Sequence, residues 1–574
     1  MDAVQVGNHW SRTSSVAVRG RVWENGTFLS GDGLAERFET TLYSGEDFCT
    51  QLSHMVADMS GFFAAIVDSP TSESLYLITD MARSIPLYFS PSGPHVSDQA
   101  RIITANLDCS PDYRSEAELL LTRYITDGRT LWDGIYTTTP GTVIQVGDGD
   151  FSRVHYRTYT PYDGIATAPD PVQSLSAATS RLRTGLQTAL DRLKTVAKGR
   201  PIVVPLSGGY DSRLLAAALV DAGFETWGVA FGRSGHTDVE VSREVAHRLG
   251  IPWAFIPYTR SMWWDWYHSL AARTYRNAAF GSALPFLAEV PAIQYLVDYG
   301  ILPNEAVYCP GHAITTPSGR LPTFQDEPVS DTASERINPA LDGLVDWIIT
   351  RHYTLWDADV DRIRSILGPR IQRRLQIGDD ESIDTYADAA MAYERWELQG
   401  RMAMFTNNDL RAYDHLGLDW WLPFWDDAYI AAWEAIPTRL RRNRQAHIAL
   451  AKEYYQDVAD APVDRVGLTD RTLTPFDRHL ALIRYTPERQ WSERNGAWDP
   501  PFLVPRERYA CSSAHPLAWF GILHPKLRTD RTPDTSLYAL RVLEATGRCA
   551  FDDPSVAIDA PDIDALLARS IRNS

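Results

Sequence analysis

The chain has 574 residues, too many for one hydrophobic core, so it divides into two or three domains, with two the leading expectation. At 44% hydrophobic and 22% charged residues, without a biased tract, it reads as an ordinary globular chain and not a disordered one. A formal net charge of −18 excludes a protein whose main task is gripping nucleic acid, because phosphate binding needs a basic face.

One local basic patch stands at Arg439, Arg441, Arg442 and Arg444; it reads as a solvated helix end or as a phosphate or peptide site. Cys49, Cys109, Cys309, Cys511 and Cys549 lie far apart, without the paired spacing of zinc or redox motifs, and read as free thiols of a reducing compartment. No basic stretch leads into an apolar run at the N-terminus and no window reaches the length of a membrane span. A soluble cytoplasmic protein is expected.

Up to about residue 160, short apolar or alternating runs are separated by turn residues, as in sheet proteins. Phe62 to Val67 and Leu75 to Ile78 are two such strands. Pro161, Gly164, Pro169 and Pro171 then interrupt regular structure, which places a first domain over residues 1–165 and a second over 172–574.

Beyond the break the pattern changes to alternating strands and helices. Ile202 to Leu206 suits a buried parallel strand, and Leu214, Leu215, Ala218, Leu219 and Ala222 follow at helical spacing with Gly223 as a stop. Thr226 to Phe231 is the next strand. Thr237 and Glu240 form a capping-box pair for a helix that carries Val241, Val245 and Leu249 on one face before Gly250. Trp253 to Ile256 is a third strand. This βαβαβ order predicts an α/β fold, a doubly wound parallel sheet whose ligand site lies at the carboxyl ends of its strands. Thr315 to Pro339 reads as an exposed loop, and Ala389 to Leu416 as one long helical stretch.

The strongest chemical signal is Leu206-Ser207-Gly208-Gly209-Tyr210-Asp211-Ser212, set between the first strand and its helix. Two glycines let the backbone approach an anion closely, while hydroxyls and free amides at a helix N-terminus suit phosphate oxygens. Asp211 beside phosphates requires an intervening cation, which points to Mg²⁺. A plain strand-to-helix turn would also use Gly-Gly. The position inside the βαβ pattern, with a second strand ending at Phe231-Gly232, favours nucleotide binding, and the absence of Gly-Lys-Ser/Thr excludes a Walker loop.

This stretch resembles the pyrophosphate loop of the N-type ATP pyrophosphatases. Thr237-Asp238 with Glu240, and Arg411 followed by Asp419-Trp420-Trp421-Leu422-Pro423-Phe424-Trp425-Asp426, are similar to later motifs of the asparagine synthetases. Ser60-Gly61-Phe62-Phe63-Ala64, Asp80-Met81-Ala82-Arg83 and Thr130-Leu131-Trp132-Asp133-Gly134-Ile135 resemble their class II glutamine amidotransferase domain, an α+β antiparallel sandwich. That domain uses a cysteine exposed after removal of the initiator Met. Here position 2 is Asp2, so no ammonia supply is expected and the amine must belong to the substrate.

Trp396-Glu397-Leu398-Gln399, Arg401, Asn408, Arg411, Tyr413, Gly417 and the box ending Trp425-Asp426 look most like the lasso peptide cyclases, as does the loop with Tyr210 and Arg213. The resemblance implies adenylation of an Asp or Glu side chain of a leader-free core peptide, and ring closure by the peptide's N-terminal amine with release of AMP and pyrophosphate. It implies ATP and Mg²⁺ as cofactors. The expected partners are the precursor core peptide and a leader peptidase and leader-binding protein of the same pathway.

Nucleotide contacts are expected from Leu206, Ser207, Gly208, Gly209, Asp211, Ser212, Phe231 and Gly311, with Asp211 as metal ligand. Arg411, Trp420 and Trp421 are expected at the substrate, since 13 of the 18 Trp residues lie after residue 260 and would line a large cavity or pack an ordinary core. Asp419 is expected as a proton acceptor or as a structural carboxylate, Lys452 as an adenylate-stabilising cation or as a surface lysine, and His312 as a phosphate or substrate contact or as part of a capped turn. Where the family carries a second metal-binding acid this chain has Thr315 or Thr316, leaving the ion more hydrated or served by another carboxylate such as Asp326. The rival readings are a β-lactam synthetase or other small-molecule amide ligase, and a non-catalytic scaffold of a peptide-modifying complex.

Overall fold

The computed structural model describes residues 4–41, 48–69, 73–93, 95–147, 149–161, 172, 174–303, 305–322, 340–356, 358–375, 383, 385–459 and 563–572. Asp2, Asp326, Cys511, Cys549 and the proposed break at Gly164, Pro169 and Pro171 lie outside the described residues.

A seven-stranded sheet combines Ser11–Arg12 (β2), Val16–Glu24 (β3), Thr27–Ser30 (β4), Met59–Asp68 (β5), Leu75–Thr79 (β6), Thr142–Gly147 (β10) and Asp150–His155 (β11), every pairing antiparallel. Residues alternate between its two faces, as the period of a strand demands. Val16, Val18, Phe63, Ala65, Val67 and Ile78 pack on the helices Gly31–Thr41 and Phe48–Ala57 through Leu34, Phe38, Leu52 and Val56. Ala17, Phe62, Ala64, Ile66, Leu77 and Ile144 face the other way, into the main core. There they meet a smaller sheet of Val4–Gln5 (β1), His95–Ser97 (β8), Tyr88–Ser90 (β7) and Tyr136–Thr137 (β9), in that order.

The second sheet is parallel throughout. Its order is Trp253–Pro257 (β14), Thr226–Gly232 (β13), Ile202–Pro205 (β12), Val307–Tyr308 (β15) and Asp419–Trp420 (β16). The chain winds outward from β12 through β13 to β14, then returns to the other side of β12 for β15 and β16. The expected strands end within a residue of the observed ones because short apolar runs bounded by turns mark buried parallel strands well. The helices Tyr210–Asp221 and Thr237–Leu249 make the crossovers, and Leu175–Ala197 and Gln445–Ala459 add further cover. The fold is α/β, with its topological switch between β12 and β15, where ligands of such sheets bind.

Three local expectations are corrected. The N-cap of the second crossover helix is His236 and not Thr237, its ring accepting the Asp238 amide at 3.2 Å. The stretch from Ala389 to Leu416 is not one helix. It runs as an α-helix Tyr386–Glu397, a π-helical segment Leu398–Thr406, a 3₁₀ turn Asn407–Asp409 and an α-helix Leu410–His415. Thr315, expected in an exposed loop, is fully buried. Among the described residues no helix is long and apolar enough to cross a membrane.

Candidate functional site

The Ser207 to Ser212 turn leaves β12 at its carboxyl end and enters the helix Tyr210–Asp221. Its shape is set internally. The Ser212 hydroxyl accepts the Ser207 amide at 3.0 Å and lies 3.0 Å from the Ser207 hydroxyl, which in turn accepts the Gly209 amide at 3.2 Å. The buried Arg213 donates to the Gly208 carbonyl at 3.1 Å and braces the turn from behind. Gly209 is the helix N-cap and has no side chain to cap with, so the first-turn amides stay available to an anion, aided by the helix dipole.

Two neighbouring segments close on this turn. A Cβ on Gly311, beyond the end of β15, would lie 2.9 Å from the Ser212 amide nitrogen, so only glycine permits that approach. A Cβ on Gly208 would lie 2.6 Å from an Asp238 carboxylate oxygen. Burial pushes the Asp238 carboxyl up and the adjoining His236 imidazole down. A cavity of about 240 Å³ opens here, lined by Leu206, Ser207, Phe231, His236, Asp238 and Val239, with Phe231 stacked on Tyr258 at 5.5 Å. Its walls are the carboxyl ends of β12 and β13.

Asp211 sits in the helix's first turn. One of its oxygens, Oδ1, accepts from the Arg444 guanidinium and from His447 Nε2 at 2.6 Å, while His447 Nδ1 lies 2.8 Å from the Tyr429 hydroxyl. Burial alone would raise the Asp211 carboxyl; Arg444 and His447 outweigh it and hold it well below the usual range. Arg444 Nε also reaches the Thr315 hydroxyl at 3.3 Å. Among the described residues no group of three His, Cys, Asp or Glu is placed to hold a metal ion. Asp211 is the carboxylate of the turn that would meet a Mg²⁺ carried by nucleotide phosphates.

His312 borders the turn through Gly311. Its Nε2 lies 3.1 Å from the fully buried Asp409, and burial holds its imidazole down to about 4. Burial pushes Asp409 and the neighbouring Glu289 up.

Of the remaining expected residues, Lys452 approaches the turn, and Asp419, Trp420, Trp421 and Arg411 pack elsewhere. Asp419 is in register with Val307 and, through it, with Ile202 at the start of β12, whereas Ser207 lies about 16 Å further along the strand direction. It is bound at 2.7 Å by both Arg21 and Arg200, which corrects the proton-acceptor expectation in favour of a structural carboxylate. Trp420 and Trp421 pack on Phe62 with ring centroids at 6.0 and 4.5 Å, and line a separate cavity of about 430 Å³ with Arg19, Arg21 and Asp414. Arg411 is tied to the Ser84 carbonyl and, at 3.0 Å, to Asp414. Lys452 lies on the helix that carries His447, but about 140° around it, with Nζ 5.8 Å from the Tyr210 ring centre.

No family model and no curated protein matches this chain. Solved structures give slight likenesses. An NMN synthetase from Francisella tularensis is 16% identical over 26% of this chain and 58% of that one, with a TM-score of 0.18. An NH3-dependent NAD synthetase from Campylobacter jejuni subsp. jejuni NCTC 11168, in complex with the nitrate ion, is 14% identical over 39% of this chain and 94% of that one, at 0.20. A glutamine-dependent NAD+ synthetase from Acinetobacter baumannii, in complex with ADP, is 13% identical over 59% and 84%, at 0.18. Likenesses of this size carry no argument about activity.

The residues that sequence reasoning missed are His447 and Tyr429, and it left Arg444 as one member of a basic patch. The nearest local signal was that patch, placed just before a helix.

Proposed function

We propose that the chain is an ATP-dependent, AMP-forming amide ligase. The observation that carries the reading is the turn itself: a Gly-Gly anion cradle with open helix amides, at the switch point of a doubly wound sheet, with a deprotonated Asp211 beneath it. Such a cradle suits the pyrophosphate end of ATP. The cavity beside Phe231 suits its nucleoside. A substrate carboxylate oxygen attacks the α-phosphorus and the bond to the β-phosphate breaks, so pyrophosphate leaves. An amine then attacks the acyl carbon, the C–N bond forms, AMP leaves and one proton is released. Bound Mg²⁺ would neutralise phosphate charge; the chain's own amides and hydroxyls hold and orient the leaving group.

For the substrate we propose a leader-free core peptide whose Asp or Glu side chain is activated and whose N-terminal amine closes an isopeptide ring, as the resemblance to the lasso cyclases implies. Residues 1–165 then act as a degenerate amidotransferase-like domain beside the synthetase domain of residues 172–574, and glutamine hydrolysis is not part of the reaction. Support comes from two of the three described cysteines. Cys309 is fully buried with its thiol pushed up by burial, and Cys109 is pushed up likewise, neither being a state that favours thiolate attack.

The test is pyrophosphate release with synthetic peptides that carry a free N-terminus and one internal Asp or Glu, followed by mass analysis for loss of water. Release dependent on peptide and abolished in Asp211→Ala supports the reading. Release from none of the peptides, with wild type and variant alike, refutes it.

A further inference from the structure

We propose that Arg444 is a fixed organic cation of the nucleotide site, a guanidinium that binds the departing pyrophosphate and makes a second carboxylate-anchored metal ion unnecessary. The inference rests on the nucleotide reading above. Four observations converge on this one side chain. Its Nη2 holds Asp211 from the turn after β12, while its Nε holds the Thr315 hydroxyl from the segment after β15. It thus bridges the two strand ends that flank the switch point.

Its backbone is constrained to allow this. Asn443 and Arg444 have φ of 55° and 60°, two consecutive non-glycine residues in the left-handed region. Strain of that kind persists only where the surroundings impose it. Gly319 makes room for the stem, since a Cβ there would come within 3.1 Å of Arg444 Cδ. Finally, the side chain is 18% exposed and that of Asp211 23%, so neither is sealed from solvent.

The charges explain the assignment. Asp211 with Arg444 is a neutral pair. Polyphosphate arriving at the turn meets a carboxylate that would repel it. The guanidinium bound to that carboxylate offers a planar, multiple donor matched to phosphate oxygens. Thr315 is a hydrogen-bond acceptor for the guanidinium and not a metal-binding acid, so this wall contributes its positive charge through Arg444.

Inorganic pyrophosphate titrated calorimetrically into the full chain tests this, with Mg²⁺ and with EDTA, alongside circular dichroism melts. Wild type is expected to bind in EDTA, more weakly than with Mg²⁺. Arg444→Gln is expected to lose the metal-free binding and to weaken the Mg²⁺-supported binding about tenfold, with Arg444→Lys in between. Adding Thr315→Asp to Arg444→Gln is expected to restore affinity only with Mg²⁺, with a steeper dependence on its concentration. Pyrophosphate binding by wild type that requires Mg²⁺ strictly, or an Arg444→Gln affinity equal to or tighter than wild type, overturns the proposal without touching the nucleotide reading. If wild type binds neither pyrophosphate nor a non-hydrolysable ATP analogue with Mg²⁺, the nucleotide reading itself fails.

Discussion

Gly311→Ala tests whether the approach of the β15 segment shapes the anion cradle. The added methyl carbon would stand 2.9 Å from the Ser212 nitrogen, 3.0 Å from its Cα and 3.2 Å from its Cβ, all in or next to the backbone of the turn. Ordinary contact lies about 0.5 Å or more further out, and backbone cannot rotate away as a side chain would. The turn must therefore shift. A misplacement of about 1 Å costs roughly a hundredfold where positioning matters, so half of that predicts about tenfold, or about 1.4 kcal/mol, in affinity for a non-hydrolysable ATP analogue. Overpacking should also lower stability by about 1–3 kcal/mol. Fluorescence titration with the analogue and a thermal melt measure the two effects separately. Gly343→Ala is the control, because a methyl carbon there meets nothing within 4 Å. If Gly311→Ala binds the analogue as wild type does while Gly343→Ala behaves as expected, the cradle does not depend on that contact and the geometric reasoning is wrong.

Asp419→Asn removes the charge shared by Arg21 and Arg200, which are only partly buried, so stability should fall by about 1–2 kcal/mol in a denaturant melt with analogue affinity unchanged; a large loss of affinity would return Asp419 to the site. Trp421→Ala empties a place 1% exposed between Phe62 and Trp23 and should cost about 3–5 kcal/mol, measured in the same way, and a loss below about 1 kcal/mol would contradict the packing. The third prediction concerns pH. Burial holds His312 down to about 4 against an ordinary 6.5, so between those values the unfolded chain binds a proton that the folded chain does not. The stabilisation is full above 6.5 and declines as pH falls toward 4, by up to about 1.4 kcal/mol per unit, and the buried His447 acts in the same sense. Melts at about pH 7 and about pH 5 should show a shallower decline in His312→Gln, and equal slopes would refute it.

The succession of strands and helices at the site was legible because it rests on strong local signals: an apolar run of strand length, a Gly-Gly turn, then apolar residues at helical spacing. What joins the turn from elsewhere was not. His447 reaches Asp211 only because the helix Gln445–Ala459 packs on Tyr210–Asp221, and a histidine inside a helix carries no local mark of that. Arg444 stood in a visible basic patch, but its left-handed backbone, which aims it, has no composition cue. Asp419 shows the opposite failure. Its neighbours match a family box, yet a match in residue types does not say which end of a strand a carboxylate occupies, and register places it level with Ile202. The π-helical turn at Leu398–Thr406 was hidden because apolar spacing over two turns does not separate its period from that of an α-helix.

The bonds between the two sheets argue that the N-terminal part is a structural wall of the site whatever chemistry it has. Asn407 donates to the Ala82 carbonyl at 3.0 Å, Arg411 to the Ser84 carbonyl, and Arg83 to the Ser282 hydroxyl at 3.3 Å. Arg19 pairs with Asp414 and Arg157 with Asp427, and Arg192 donates to the Ser60 hydroxyl at 2.5 Å. Separating the sheets would leave several of these charges and carbonyls without partners in a partly buried setting, which is expensive even where each pair contributes little on its own. Asn407 lies two residues from Asp409, which holds His312 beside the Gly311 contact. The turn at Asp80-Met81-Ala82-Arg83-Ser84, the very stretch that resembles an amidotransferase motif, is thus mechanically connected to the nucleotide cradle. Such a connection is a physical reason for a chain to keep this sheet whatever chemistry the sheet itself has.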